Sequence, residues 1–331
     1  MPAVYWVGER KKNTFLDEAL HFASYLAMGW LNFAFFISVA RDIAAMIAIS
    51  SPKMDRVYDF LAADSGAMLV AAASFIALGA GAAAALRGPR VRKVEVPIEG
   101  LHPALDGFRI VQISDLHVGP TIGERYVRGV VRLANELEPD LVALTGDMVD
   151  GPVARLSADV APLAQLKGGE RRFFILGNHE YYAGAQQWID HFRAIGIRPL
   201  LNESVSLSIR DAKLLVGGVL DPAGGAAQPP RPDLAAAGGE NASFRLLLAH
   251  NPKLAPLGAQ AGFDLQLSGH THAGQFFPWT FAVKLIHAPH AWGLSREGRM
   301  WVYVSAGTGS WGPPVRFGSE PELTLIRLVR T

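Results

Sequence analysis

The 331-residue sequence predicts an α/β protein of two stacked sheets flanked by helices, preceded by two apolar N-terminal helices. Three observations carry that prediction. The first ninety residues hold two long runs almost without formal charge. Between about residues 108 and 195, short apolar runs alternate with segments of helical period. Beyond residue 204, strand-like runs follow one another with little helix between the first of them. Repeated strand–helix alternation implies a parallel sheet with right-handed crossovers.

The first apolar run covers residues 19–40, ALHFASYLAMGWLNFAFFISVA, between Asp17-Glu18 and Arg41-Asp42. At about 1.5 Å per residue it can cross a hydrocarbon core of about 30 Å. Asn32 lies near its middle and is expected to want a helix partner. The second run, residues 67–86, is rich in Ala and Gly, which suit close helix contact in lipid. A helical hairpin packed on a soluble body is the competing reading. A cleaved signal peptide fits poorly, because the first run is long, starts late and has no small-residue cleavage site after it. Arg10, Lys11 and Lys12 precede the first span, and Arg87, Arg90, Arg92 and Lys93 follow the second. These flanks favour a multi-pass membrane protein whose body faces the cytoplasm. The expected anchor is residues 1–93 and the expected body residues 94–331.

Within the body, Val94 to Ile98 alternates like an edge strand. Residues 108–113 form the first core strand. Residues 122–137 place Tyr126, Val127, Val130, Val131 and Ala134 at helical spacing, and Pro139 follows. A strand is expected over 141–144, a helix over 153–166, a strand over 173–176 and a helix over 185–195. Runs at 204–209, 214–219 and 244–248 are strand-like. Residues 222–241 are Ala-, Gly- and Pro-rich and predict a loose loop. Runs at 265–267, 301–305 and 323–328 are expected to complete the second sheet.

Composition narrows the chemistry. Charged residues are 18 %, net charge is +1 and cysteine is absent. Disulfides and thiolate metal sites are therefore excluded. No basic field for nucleic acid exists. What remains is a set of polar residues directly behind the apolar runs: Ser114-Asp115-Leu116-His117, Gly146-Asp147, Gly177-Asn178-His179-Glu180, His250-Asn251 and Gly269-His270-Thr271-His272. Ligands at strand ends converge on one sheet edge. Two Asp, one Asn and several His without a thiol suit a pair of divalent ions such as Mn, Fe or Zn. Taken singly, Asp115 would be a helix cap and Asn178 a turn residue.

The order D-x-H, G-D, G-N-H-E, H, G-H-x-H resembles the calcineurin-like metallophosphoesterases, over roughly residues 107–328. The likeness is nearest to the family's membrane-bound bacterial branch, which implies a bacterial inner-membrane location. It implies a four-layer α/β/β/α sandwich of two mixed sheets and metal-dependent hydrolysis of a phosphate ester or pyrophosphate. By the same resemblance Asp115, His117, Asp147 and His272 would hold one metal, and Asp147, Asn178, His250 and His270 the other. Asp147 would bridge them. His179 would be the catalytic residue beside the phosphate, Glu180 and Asp150 support for the ligands. His102, His191, His287 and His290 match no motif position.

The segment Gln275-Phe276-Phe277-Pro278-Trp279-Thr280-Phe281, with Trp292 and Trp311, has two readings. It is a hydrophobic flap packed on the sheet, or an apolar lip that meets membrane lipid and admits a lipid-linked phosphorylated substrate. A membrane-tethered nucleotide phosphodiesterase and a non-catalytic metal-binding scaffold are the rival functions.

Overall fold

The computed structural model describes residues 15–331, so the basic flank at residues 10–12 lies outside it. Helix α1 (Phe15–Ile49) is followed by α2 (Asp55–Ala62) and α3 (Asp64–Leu86). The sequence placed the end of the first run at Arg41-Asp42, yet α1 continues through both. Arg41 donates to the adjacent Asp42 at 2.6 Å and neither is buried, so the pair neutralises itself on the helix surface. Residues 19–49 and 64–86 are long and apolar enough to cross a membrane. Their apolar side chains are mostly outward: Met46 is 72 % exposed and Ile76 71 % exposed, unlike the core helices of a soluble body.

The body begins with β1 (Arg90–Ile98), β2 (Arg109–Ile113), α4 (Glu124–Glu136), β3 (Leu141–Leu144) and α5 (Val153–Val160). It continues with β4 (Arg172–Phe174), α6 (Asn178–Ala183), α7 (Ala185–Ala194), β5 (Arg198–Pro199), β6 (Glu203–Ile209) and β7 (Ala212–Gly218). Then come α8 (Pro232–Ala236), β8 (Phe244–Leu248), α9 (Ala255–Gln260), β9 (Leu265–Ser268), α10 (Trp279–Ile286), β10 (Gly293–Glu297), β11 (Met300–Val304) and β12 (Glu322–Arg330).

Two six-stranded mixed sheets result, ordered β1-β12-β2-β3-β4-β5 and β10-β11-β9-β8-β7-β6. Strands β2, β3 and β4 are parallel to one another, as are β7, β8, β9 and β11. Val111 and Ile113 of β2, with Val142 and Leu144 of β3, pack under Val127, Val130 and Trp188 of the outer helices. Ile110, Leu141 and Ala143 point the other way, onto Leu214, Leu246 and Leu265 of the second sheet. Leu215, Leu247 and Val302 meet Ala235 of α8 and Ala255 of α9 on the far side. The layers are therefore helix, sheet, sheet, helix. Central strands buried on both faces explain why their sequences are continuous apolar runs.

Three expectations need correction. The last run does not join the second sheet. As β12 it lies inside the first, parallel to β1 and antiparallel to β2. Leu323 packs toward the helices while Ile326 and Leu328 face the other sheet, so burial on both sides suits it to an interior position. The helix from 153 stops at Val160, where a 3₁₀ turn carrying Pro162 takes over. The loop at 222–241 contains α8, whose Pro232 and Ala235 are buried.

Candidate metal centre

Five strand ends open on one pocket. Asp115 and His117 follow β2, Asp147 follows β3, and Asn178 and His179 begin α6 behind β4. His250 follows β8, and His270 and His272 follow β9. The backbone turns sharply at these points. Asp115, His117, Asp147, His270 and His272 have φ of 52°, 52°, 54°, 71° and 51°, in the left-handed region that residues with a Cβ avoid. Such outliers persist where the surroundings over-determine them, as at ligand clamps. Glycine is required beside them for space. A Cβ on Gly177 would collide with the Asp147 carboxylate, and one on Gly269 with Ser114 and the Asp115 carboxylate.

Distances are short. His272 Nε2 lies 3.3 Å from Asp115 Oδ1 and 2.9 Å from His117 Nε2. Asp147 Oδ2 lies 3.1 Å from His250 Nε2 and 4.0 Å from both His117 Nε2 and His179 Nε2. His270 Nδ1 lies 3.0 Å from Asn178 Oδ1. Asp115, His117, Asp147 and His250 are all within 2 % of full burial. Every residue that the motifs marked is thus brought to the same place.

A second tier aims the rings. His250 Nδ1 donates to the Thr145 carbonyl at 2.8 Å, which leaves Nε2 facing inward. His117 Nδ1 and His179 Nδ1 each meet Asp150 Oδ1 at 2.7 Å. Holding the outer ring nitrogen fixes the tautomer and presents the inner one. Glu180, fully buried, accepts from Gly177 N at 2.7 Å, Asp147 N at 2.9 Å and Met148 N at 2.6 Å. It therefore ties the G-D turn to the G-N-H-E turn. Burial, reinforced by the Asp147 carboxylate, pushes its pKa up to about 7.

Charge in the pocket is ordered the same way. Burial alone would lower the pKa of His117, but Asp150, with Asp147 and Asp115, lifts it to about 9. Burial opposes ionisation of Asp147, yet His250, His117 and His179 hold its carboxyl well below the usual range. Burial and the neighbouring His250 push His270 down to about 3. Burial, His117 and Arg316 push His272 well below the ordinary value. The carboxylates thus hold positive charge on some rings, while others keep uncharged lone pairs that can bind a cation.

Two contributors had no role assigned from the sequence, and only Ser114 lay in a marked run. Ser114 Oγ donates to Asp115 Oδ2 at 2.5 Å. Arg316, 1 % exposed, donates to His272 O at 3.0 Å and Ala306 O at 2.7 Å, with its other terminal nitrogen 3.3 Å from His272 Nδ1. It sits in an irregular loop with no motif around it. Of the unassigned histidines, His102 accepts from Ala104 N, His191 packs edge-on against Trp188, and His290 bonds Ser295 and Glu297. His287 alone of the four approaches the pocket, 5.7 Å from the His270 ring.

The chain is similar to several known proteins. The profile of the family described as Calcineurin-like phosphoesterase matches residues 108–274. A Bos taurus protein described as a transmembrane protein with metallophosphoesterase domain is 36 % identical over 270 residues, 74 % of this chain and 58 % of that protein. An uncharacterized metallophosphoesterase of Campylobacter jejuni is 31 % identical over 301 residues, 89 % of this chain and 78 % of that protein. The chain spans 58 % of the length of the bovine relative and of its Danio rerio counterpart. Among solved structures, a 5'-nucleotidase precursor from Thermus thermophilus is similar with a TM-score of 0.44 and 15 % identity, over 66 % of this chain and 54 % of that one.

Proposed function

The chain belongs to the calcineurin-like phosphoesterase family, and on that premise we propose that it is a membrane-anchored phosphoric ester or pyrophosphate hydrolase working with two divalent ions. The observation that carries this reading is the convergence of oxygen and imidazole donors from separate strand ends around Asp147. Ligand atoms of Asp115, His117 and His272 lie within 4.8 Å of one another, as do those of Asp147, His250 and His270. We assign Asp115, His117, Asp147 and His272 to one ion, and Asp147, Asn178, His250 and His270 to the other. Asp147 has two carboxylate oxygens and can serve both. The donor set fits. His250 Nε2 is buried and faces Asp147 Oδ2 at 3.1 Å, so an imidazole nitrogen and a carboxylate oxygen are aimed at one point, as two donors to a cation would be. Oxygen and imidazole without thiol suit Mn, Fe or Zn. When bound, such ions would neutralise phosphate oxygens and lower the pKa of a water to near neutrality.

His179 is the proposed proton donor to the leaving oxygen. Asp150 holds its Nδ1, so Nε2 faces the pocket. At 16 % side-chain exposure it is more open than His117, His250 or His272. The rings of Tyr182 and Trp311 flank it at 5.5 Å and 5.9 Å.

The substrate is proposed to be lipid-linked. Phe276 is buried, but the rest of the flap is not. Helix α10 buries none of its residues, and Phe281, Leu285 and Ile286 are 62 %, 84 % and 62 % exposed. This apolar lip stands beside the membrane-length α1, where an interfacial helix would meet acyl chains. Replacing Phe281, Leu285 and Ile286 by Ser is expected to slow hydrolysis of a lipid pyrophosphate more than that of an aryl phosphate ester, both assayed with Mn in detergent. Equal loss on the two substrates would count against the lipid reading. If the unsubstituted protein hydrolyses neither substrate, the hydrolase reading itself fails.

The body is proposed to face the cytoplasm of a bacterial inner membrane, from the basic residues Arg87, Arg90, Arg92 and Lys93 beside α3. Protease added to inside-out vesicles is expected to cleave it. Cleavage in right-side-out vesicles alone would reverse the orientation.

A further inference from the structure

Asn32, expected to want a helix partner, finds its partners outside the apolar hairpin. Its Nδ2 donates to Phe277 O at 3.0 Å, and its Oδ1 accepts from Trp279 Nε1 at 3.1 Å. Both partners belong to the flap that leaves the G-H-x-H turn. The second helix makes a contact of the same kind. Gly81 O of α3 accepts from Arg316 N at 2.9 Å. Val315, fully buried, closes a cluster with Phe33 of α1, Ala77 of α3 and Phe276 of the flap. The fit is tight. A Cβ on Gly81 would lie 2.6 Å from Val315 Cγ1, whereas one on Gly79 would meet nothing within 4 Å.

From this contact the chain leads directly to the pocket. Arg316 follows Val315, and its guanidinium is spent on carbonyls around His272: His272 O, Ala306 O and Gly309 O. Gln275 joins the two loops, donating to Trp311 O at 2.9 Å and Pro313 O at 3.1 Å while accepting from Trp311 N at 2.9 Å. Trp311 in turn stands against His179.

We propose that the α1–α3 hairpin is a positioning element of the metal centre, acting through Val315 and Arg316 on His272. The membrane helices then do more than tether the body: they complete the wall from which one ligand hangs. The proposal rests on the assignment of His272 as a ligand made above. Arg316 is on this account a positioning residue, touching the ligand's backbone and ring but not the substrate.

The test uses the full chain in detergent, with two readouts. One is the Mn binding isotherm. The other is hydrogen exchange over residues 306–317 in metal-free protein. Gly81→Ala is expected to weaken Mn binding by about 10–100-fold, the usual effect of disturbing a ligand's support, and to speed exchange in that loop. Gly79→Ala, on the same helix, is expected to change neither. Val315→Ala added to Gly81→Ala removes the colliding methyl and is expected to restore both, which a general loss of folding would not allow. Equal Mn affinity and equal exchange in Gly81→Ala and Gly79→Ala would overturn the proposal. So would a Gly81→Ala defect that Val315→Ala leaves in place. Absence of Mn binding by the unsubstituted protein would instead sink the metal assignment, and the exchange readout would still judge the contact between hairpin and loop.

Discussion

Asp147→Asn is expected to abolish hydrolysis and weaken both ions while leaving the fold intact. The two oxygens of Asp147 have separate duties. Oδ1 accepts from His179 N at 2.8 Å, and an Asn carbonyl can keep that bond. Oδ2 faces His250 Nε2 at 3.1 Å and His117 Nε2 and His179 Nε2 at 4.0 Å. An amide nitrogen there would present hydrogens to a point where three rings aim their inner nitrogens. It would also remove the negative charge that the surrounding histidines stabilise. Without the ions, a water would lose the acidification that they would supply. The supply of nucleophile near neutral pH then collapses by many orders of magnitude. Metal content by elemental analysis and turnover of an aryl phosphate ester check this together. A variant with two tightly held ions and near-normal turnover would refute the bridging role.

His179→Ala is the second large effect, and it should look different. Removing a proton donor costs about 10²–10⁴-fold in rate. Metal content should stay near two, because neither proposed ligand set includes His179. Asp150 would keep its bond to His117, so the ring proposed as a ligand of the first ion should hold its tautomer. The contrast matters, because His179 also lies within 4.8 Å of His117 and Asp147 in a group that could hold an ion. If the variant loses an ion along with its rate, His179 is a ligand and not an acid.

The motifs made the pocket legible because each marked residue sits directly behind a strand buried on both faces. Ile110 to Ile113 and Leu141 to Leu144 read as interior strands, which is how they are buried, and Asp115 and Asp147 follow their ends. What stayed hidden depends on contacts between distant parts of the chain. Residues 323–328 read correctly as a strand, but nothing local says which sheet takes them. Arg41-Asp42 looked like a boundary because isolated charges end a span, and the ion pair between neighbours cancels that signal. Asn32 finds its partner 245 positions away. Arg316 lies in an irregular loop, where no periodicity marks a side chain as buried. The lip divided between the two readings given for it: Phe276 packs inward and α10 does not.

The position of β12 bears on how the protein is made. Residues 322–330 fill the gap between β1 and β2, so the first two strands of the body never pair with each other. During synthesis β1 must wait beside the membrane while more than two hundred residues follow it from the ribosome. β2 to β5 can pair without it, but β1 cannot join them before the strand starting at Glu322 emerges. Pairings so far apart in sequence are slow and leave strand edges uncovered meanwhile. Glu322 also accepts from Ala306 N and Tyr303 Oη, close to the turn that carries Thr308 beneath Ser114. A nascent chain cut short before that point would thus carry every proposed ligand yet lack the strand that joins β1 to the rest of the first sheet.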